Sequence, residues 1–343
     1  MTASNSSLPR VLIADKFEQV GLDGLASLAS VVYLPEVGGQ GPQALAGAII
    51  EHDPSILVVR SSKTPALAIT AAAGKSLKAI IRAGAGVDNI DLRAASDIGV
   101  AVCNCPGMNA AAVAELIFAF LLALDRRVVE GTNDLRAGKW NKKEYSKARG
   151  LKGQTLGLIG VGNIGREVIR RARAFGMPCI AHSLNMTRDR AIDLGVEFGG
   201  STRADLITML PRCDAVSIMV AANAESERLC DSAFFAAMKP GACLINTSRG
   251  SVIDEAALVA AVSEKGLRVG ADVFATEPAG SVAVTDWNPP SPLTSLPPGR
   301  FVGTHHIGAS TDQAQLAVAE EVVRIVRVWR ESGGTRIENR VNG

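Results

Sequence analysis

The sequence predicts an α/β protein built from two doubly wound parallel sheets. Three observations lead there. Short β-rich runs alternate with helix-length, alanine-rich segments along nearly the whole chain, the pattern of parallel α/β wrapping. The runs fall into two series separated by a long apolar helix. The second series opens with a glycine-rich turn set between a strand and a helix. A length of 343 residues accommodates two domains.

In chain order, the first series places strands at Arg10 to Ala14, Ser30 to Leu34, Ile56 to Arg60, Ala79 to Arg82 and Ala101 to Asn104. Helices such as Gly21 to Ala29 and Thr64 to Ala73 lie between them. A helix over Ala110 to Arg127 follows, and the charged segment Asn141 to Gly150 reads as a surface connection. The second series runs Thr155 to Ile159, Pro178 to His182, Ala215 to Ile218, Ala242 to Thr247, Arg268 to Val273 and Arg300 to Gly303. The proline-rich stretch Asp286 to Gly299 is expected to be a loop, since proline supplies no amide for a strand ladder. A final helix spans Thr311 to Glu331. No internal repeat appears beyond the βα alternation.

Composition narrows the function. A chain 47% hydrophobic and 20% charged is an ordinary globular one, and a net charge of +2 gives no electrostatic case for nucleic acid or an anionic membrane. The longest apolar run, Leu116 to Leu124, is far shorter than the roughly 20 residues that span a bilayer. The stretch Met1 to Pro9 lacks the basic-then-apolar order of a signal peptide, so a cytoplasmic protein is expected. The six cysteines are scattered through apolar segments, as buried thiols in a reducing compartment would be. Cys103 and Cys105 lack a second pair or a nearby histidine, so no metal is expected.

Gly160-Val161-Gly162-Asn163-Ile164-Gly165 follows one strand and opens the helix Arg166 to Phe175. In that setting the fingerprint points to a dinucleotide in a Rossmann-type domain. Gly160 permits the tight turn, Gly162 the approach of a pyrophosphate, and Gly165 close helix packing. The amides of Ile164 and Arg166 face the phosphates at the helix N-terminus. The next strand ends on Ser183 where an NAD site normally presents a carboxylate. Ser183, Asn185 or Arg188 could therefore bond a 2′-phosphate, or Arg188 and Arg190 could belong to a solvated helix face. NAD and NADP both stay open.

Three later segments, Asn246 to Gly250, Asp272 to Pro278 and Thr304 to Gly308, lie at carboxyl ends of strands, where open α/β sheets bind ligands. They contribute an arginine, a carboxylate and a histidine. This set suits hydride transfer to a 2-keto acid. Arginine grips a carboxylate bidentately, and a histidine beside an acid carries the proton.

With these motifs the sequence resembles the D-isomer-specific 2-hydroxyacid dehydrogenases, among them the phosphoglycerate dehydrogenases. The similarity extends from about Arg10 to Glu331 and includes Arg82 to Asp91, Gly107-Met108-Asn109 and Val113-Ala114-Glu115. The resemblance implies Arg249, Glu277 and His306 as the catalytic set, Asp272 as the holder of the nicotinamide carboxamide, and Thr247 and Gly308 as lining of the cofactor pocket. His305 stands where the family usually has proline, and its side chain is expected to point the other way along the strand. The resemblance also implies a flavodoxin-like substrate domain of residues 1–105 and 310–343, with the Rossmann domain of residues 106–309 inserted in it. Arg60, Ser61 and Lys63 lie where substrate contacts are expected, and the backbone at Ala83 to Gly86, Ala85 and Gly86 included, would meet the substrate carboxylate. Gly84 and Gly86 permit that approach. Substrate would sit in the cleft between the domains, which would close over it. The apolar helix Ala111 to Leu124 resembles the family's dimer-forming region, so a homodimer is expected.

The chain departs from the family pattern in Val220 to Glu227, which lacks the usual prolines, and in the long loop Ala279 to Gly299. With about 37 residues after His306, regulation through the C-terminal domain that many phosphoglycerate dehydrogenases carry is not expected. Two other readings of the scaffold stay open: a nucleotide-sensing, co-repressor-like binding protein, and a dehydrogenase of a non-hydroxyacid donor such as phosphite.

Overall fold

A computed structural model of the protein describes residues 8–278 and 285–343. The stretch Met1 to Pro9 lies mostly, and the loop Ala279 to Gly299 partly, outside the described residues. The chain divides into two compact units, residues 8–109 with 311–343 and residues 110–278 with 285–310. The division follows Asn109 because Cys105 and Met108 pack into the core of the first unit.

The first unit holds strands β1 (Arg10–Ile13), β2 (Ser30–Tyr33), β3 (Ile56–Val59), β4 (Ala79–Arg82) and β5 (Ala101–Cys103). All are parallel, in the order β2-β1-β3-β4-β5, the flavodoxin-like arrangement. Strand alternation sends neighbouring residues to opposite cores. Val11, Ile13, Ile56, Val58 and Ile81 meet Leu25 and the last helix, Asp312–Glu331, through Val318, Val322 and Val326. Leu12, Leu57, Val59 and Ile80 meet Leu45, Ile49 and Ile69 on the other face. Sheets covered on both faces read as continuous apolar runs, which is why these strands were legible.

Beyond the last helix the chain returns to the edge of β5. Arg340 forms an antiparallel bridge with Cys103. The Val341 amide donates to Val102 O at 2.8 Å, and the Asn342 side chain accepts from the Val102 amide at 2.7 Å and donates to Val100 O at 2.8 Å. Cys103 and Cys105 are buried, and burial pushes both thiols up to about 12, so neither is a nucleophile.

The second unit holds β6 (Leu156–Ile159), β7 (Cys179–His182), β8 (Glu197–Phe198), β9 (Ala215–Ile218), β10 (Cys243–Asn246), β11 (Arg268–Ala271) and β12 (Phe301–Gly303). The order β12-β11-β10-β9-β6-β7-β8 reverses direction between β6 and β9, the switch point at which Rossmann-type sheets bind nucleotides. The two-residue β8 was not expected. Nor was the helix Val128–Arg136, which restarts after Arg127 adopts a left-handed φ of 52°. The connection after it contains the short helix Lys142–Tyr145.

Two expectations change here. The helix Ala110–Arg126 buries Val113, Ile117, Phe118, Phe120, Leu121 and Leu124 within its own unit, beside Val168, Ile169 and Ala172. Internal packing thus accounts for most of its hydrophobicity, which is no argument by itself for a partner chain; Ala111, Ala119 and Leu122 stay exposed. The proline-rich segment is not a plain loop. It forms a 3-10 turn over Pro292–Ser295 capped by Ser291, and Leu293 enters the core.

Candidate active site

The glycine turn follows β6 and opens the helix Asn163–Ala174. Gly160 has φ 87°, and a Cβ there would lie 2.9 Å from the Met219 carbonyl carbon, beside the switch point. A Cβ on Gly165 would meet Gly160 O at 3.1 Å, so helix and turn pack as the spacing predicts. Around Gly162 the space is open. Exposed Asn163 and Arg166 flank this opening, with half-buried Ile164 between them. The amides that open the helix precede its first carbonyl partner, but the Arg166 amide, expected to face the phosphates, instead donates to Gly162 O at 3.2 Å.

Beyond the next strand, Ser183 is half-buried and Asn185 exposed. Arg188 is turned away, its guanidinium 5.0 Å over the Phe198 ring. Arg190, for which a solvated helix face was one of the readings left open, donates from Nη2 to Val161 O in the glycine turn at 2.6 Å.

At the ends of β10, β11 and β12 three segments meet. Gly250 makes this possible. A Cβ on it would fall 1.9 Å from the Phe274 carbonyl carbon, so the backbone after Arg249 lies directly on the backbone that leads to Glu277. Arg249 is half-buried and donates from Nη1 to Ser248 O at 2.7 Å. Glu277 Oε1 accepts the Phe274 amide at 2.9 Å, and Oε2 pairs with His306 Nδ1 at 2.7 Å. This leaves His306 Nε2 for a substrate. The Glu277 hydrogen bond raises the proton affinity of His306 against the opposing effects of burial and Arg249. Burial of Glu277 works to raise its pKa, but the bonds from His306 and the Phe274 amide hold it below the ordinary value.

His306 itself lies beyond the strand, with a left-handed φ of 55°. Strand alternation therefore does not govern His305, which is exposed. A left-handed histidine costs on the order of 1 kcal/mol, and the surroundings compensate. Asp272, 2% exposed, accepts from Thr304 Oγ1 (2.6 Å), the Ile307 amide (2.8 Å) and the Gly308 amide (2.8 Å), while its carbonyl accepts from the His306 amide at 2.8 Å. Gly308 packs against that carboxylate, where a Cβ would sit 2.9 Å from Oδ2. In this structure both Asp272 oxygens organise the histidine loop, a use the resemblance did not imply. Thr304 and Gly250 were missed as contributors, although each adjoins a singled-out residue.

Thr247 Oγ1, at the end of β10, is buried without a hydrogen-bond partner. Such an orphan suits a site built to receive a polar ligand. Together with the open cradle over Gly162, it fits a nicotinamide dinucleotide laid across the strand ends.

In the first unit, Asp15 accepts the amides of Arg60 (2.6 Å) and Ser62 (3.2 Å) and the Ser62 hydroxyl (2.6 Å), which fixes the turn after β3. Arg60 Nη1 pairs with Glu18 Oε1 at 3.1 Å, so it has an internal carboxylate partner, while Ser61 and Lys63 are exposed. Ala85 O accepts from Asn104 Nδ2 at 2.6 Å. Gly84 is required because its φ is 151° and a Cβ would strike Arg82 Nη1. Gly86 is not among the glycines with positive φ.

The family model for the D-isomer specific 2-hydroxyacid dehydrogenase NAD-binding domain matches residues 118–308. The chain belongs to this family. These dehydrogenases use NAD(P), and residues 118–308 are the NAD-binding domain. The chain is 42% identical to the hydroxypyruvate reductase of Thermotoga maritima over 279 residues, 81% of this chain and 85% of that protein. It is 38% identical to the D-3-phosphoglycerate dehydrogenase of Mycobacterium leprae over 94% of this chain but 57% of that one, so it spans little more than half of that relative. A solved NADPH-dependent glyoxylate/hydroxypyruvate reductase from Sinorhizobium meliloti, 26% identical, superposes with a TM-score of 0.79 over 98% of this chain and 97% of the other.

Proposed function

We propose that this dehydrogenase interconverts a small 2-keto acid and the corresponding D-2-hydroxy acid, of the glyoxylate, hydroxypyruvate or phosphoglycerate class, with NAD or NADP. The observation that carries the reading is the 2.7 Å pair of His306 and Glu277 at the strand ends that also present Arg249, on the sheet that carries the glycine turn. The nicotinamide supplies or takes up a hydride at the substrate's C2. Arg249 grips the carboxylate and sets the face of the carbonyl. His306 Nε2 gives the carbonyl oxygen its proton during reduction and takes it back during oxidation, while Glu277 stabilises the charged imidazole. Gly160, Gly162, Gly165 and the amides of Asn163 and Ile164 would hold the pyrophosphate, with the Arg166 side chain beside them, Ser183 the ribose, and Thr247, Asp272 and Gly308 the nicotinamide side. The turn Arg60-Ser61 and the backbone at Ala85 and Gly86 are assigned to substrate binding.

A homodimer belongs to the same proposal, supported by a different surface from the one expected. The helix Val128–Arg136 has no buried residue, and Val128, Leu135 and, just beyond the helix, Trp140 are 52%, 59% and 81% exposed, apolar side chains that a second copy would cover. The six cysteines are all buried free thiols, which supports a cytoplasmic setting. Among the described residues no helix is long and apolar enough to cross a membrane.

The test is initial rates with NADH and NADPH across glyoxylate, hydroxypyruvate, pyruvate, phenylpyruvate and 3-phosphohydroxypyruvate, with His306→Ala beside the wild type. Turnover of at least one keto acid, lost by orders of magnitude in the variant while NADH still binds, is expected. Tight NADH binding without turnover on any of them would replace the enzyme by a nucleotide-sensing protein.

A further inference from the structure

Glu255 opens the helix Glu255–Lys265, six residues after Arg249 and with no role assigned so far, and the residue is only 9% exposed. Its two oxygens are used on two different segments. Oε1 accepts the Ala275 amide at 2.9 Å, and Oε2 accepts the hydroxyl of Ser291 at 2.9 Å. Ser291 is 0% exposed, and its oxygen in turn accepts the Leu293 amide at 3.2 Å, which caps the turn Pro292–Ser295. The first turn of a helix suits a carboxylate, because unpaired amides and the helix dipole favour negative charge there.

The Ala275 amide belongs to the peptide that lies on Gly250, two residues before Glu277. The same short turn is held from the proline-rich segment at two further points. Trp287 Nε1 donates to Thr276 O at 3.1 Å, and the Trp287 ring meets Phe274 edge-on at 5.0 Å between centroids. Glu277 therefore extends from a turn whose place is set by Gly250 on one side and by Glu255, Ser291 and Trp287 on the other.

We propose that Glu255 is a positioning residue, which fixes the Glu277 turn to the proline-rich segment and so governs how strongly His306 holds its proton. The inference deepens the dehydrogenase reading above and rests on it for its catalytic meaning. The charged groups that bear on His306 are Glu277, Arg249 and Asp272; of these, Glu277 is the one reached through Ala275. Loosening that turn weakens the His306 hydrogen bond and leaves Arg249, which opposes protonation, less compensated.

The experiment compares the wild type with Glu255→Ala, Glu255→Gln and Ser291→Ala. Only four histidines are present, so the His306 imidazole can be titrated by NMR, assigned with His306→Ala, independently of turnover. Glu255→Ala is expected to move the His306 midpoint to lower pH, to move the high-pH loss of keto-acid reduction with it, and to lower kcat about tenfold or more with NADH affinity unchanged. Glu255→Gln, whose amide oxygen can still accept from Ala275, restores most of both. Ser291→Ala moves them the same way by less. If Glu255→Ala does not fold, Ser291→Ala decides. An unchanged His306 midpoint in the folded variants, whatever their rates, overturns the proposal. Wild-type protein without turnover but with a shifted midpoint in the variants would instead remove only the dehydrogenase reading.

Discussion

Replacing Gly250 by alanine is the most direct probe of how Arg249 and Glu277 are brought together. The added Cβ would fall 1.9 Å from the carbonyl carbon of Phe274 and 2.3 Å from the Ala275 nitrogen, both backbone atoms that no rotamer change can move. Carbon atoms pack at about 3.5 Å, so the two segments must separate by about 1.5 Å. Overpacking of this kind costs roughly 1 to 3 kcal/mol of stability. The kinetic penalty is larger, since a misplacement of about 1 Å can cost on the order of a hundredfold in rate. We expect Gly250→Ala to fold, to melt a few degrees lower, to bind NADH nearly normally, and to lose about two orders of magnitude in kcat with hydroxypyruvate or glyoxylate. Circular dichroism melts, NADH fluorescence titration and initial rates measure these three quantities. A folded variant with kcat within about threefold of wild type would show that close contact of the two segments is not what places the catalytic groups.

Glu277→Gln should change the pH dependence of reduction. Glu277 raises the proton affinity of His306, so the acid form persists above the ordinary histidine range, and reduction is present below that raised value and lost as pH rises through it. In the variant the loss should begin at lower pH; His306 is near half exposed, so the bond is worth about 1 kcal/mol after screening, roughly fivefold in rate near neutrality. Superimposable pH–rate profiles would contradict this. Arg190→Ala removes the 2.6 Å bond to Val161 O and should weaken nucleotide binding about fivefold, as read by fluorescence titration, with kcat at saturation little altered. Deleting residues 340–343 removes three hydrogen bonds to the edge of β5, at about 1 kcal/mol each, and a thermal melt should fall by several degrees.

The extent to which the site could be read in advance follows from what each residue needs locally. Gly160 and Gly165 were legible because a left-handed turn and a close helix leave no alternative to glycine at that spacing. The segments after β10, β11 and β12 were legible because parallel strands deliver their ends to one side of the sheet. His306 could be located but its conformation could not, since histidine has no strong preference for a left-handed backbone and the compensation comes from Asp272, more than thirty residues earlier. The apolar stripe of Ala110–Arg126 was visible, whereas its partner surface was not: burial within a unit and burial against a second chain leave the same periodicity. Arg188 and Arg190 are two residues apart, on different sides of one helix, and only the fold shows that the second reaches the glycine turn.

The helix Asp312–Glu331 and the strand-edge contacts of Arg340 and Asn342 carry a consequence for how the protein is made. On a ribosome, residues 8–109 emerge first, but one face of their sheet is covered only in part, by Phe17, Leu25 and Ala29, until Val318, Val322 and Val326 arrive. The described residues of the second unit, 110–278 and 285–310, all precede that helix, so this unit can complete its fold in the interval. The portion translated first is thus the portion finished last. Until then the part-covered face formed by Val11, Ile13, Ile56 and Val58 is the surface a chaperone would have to shield.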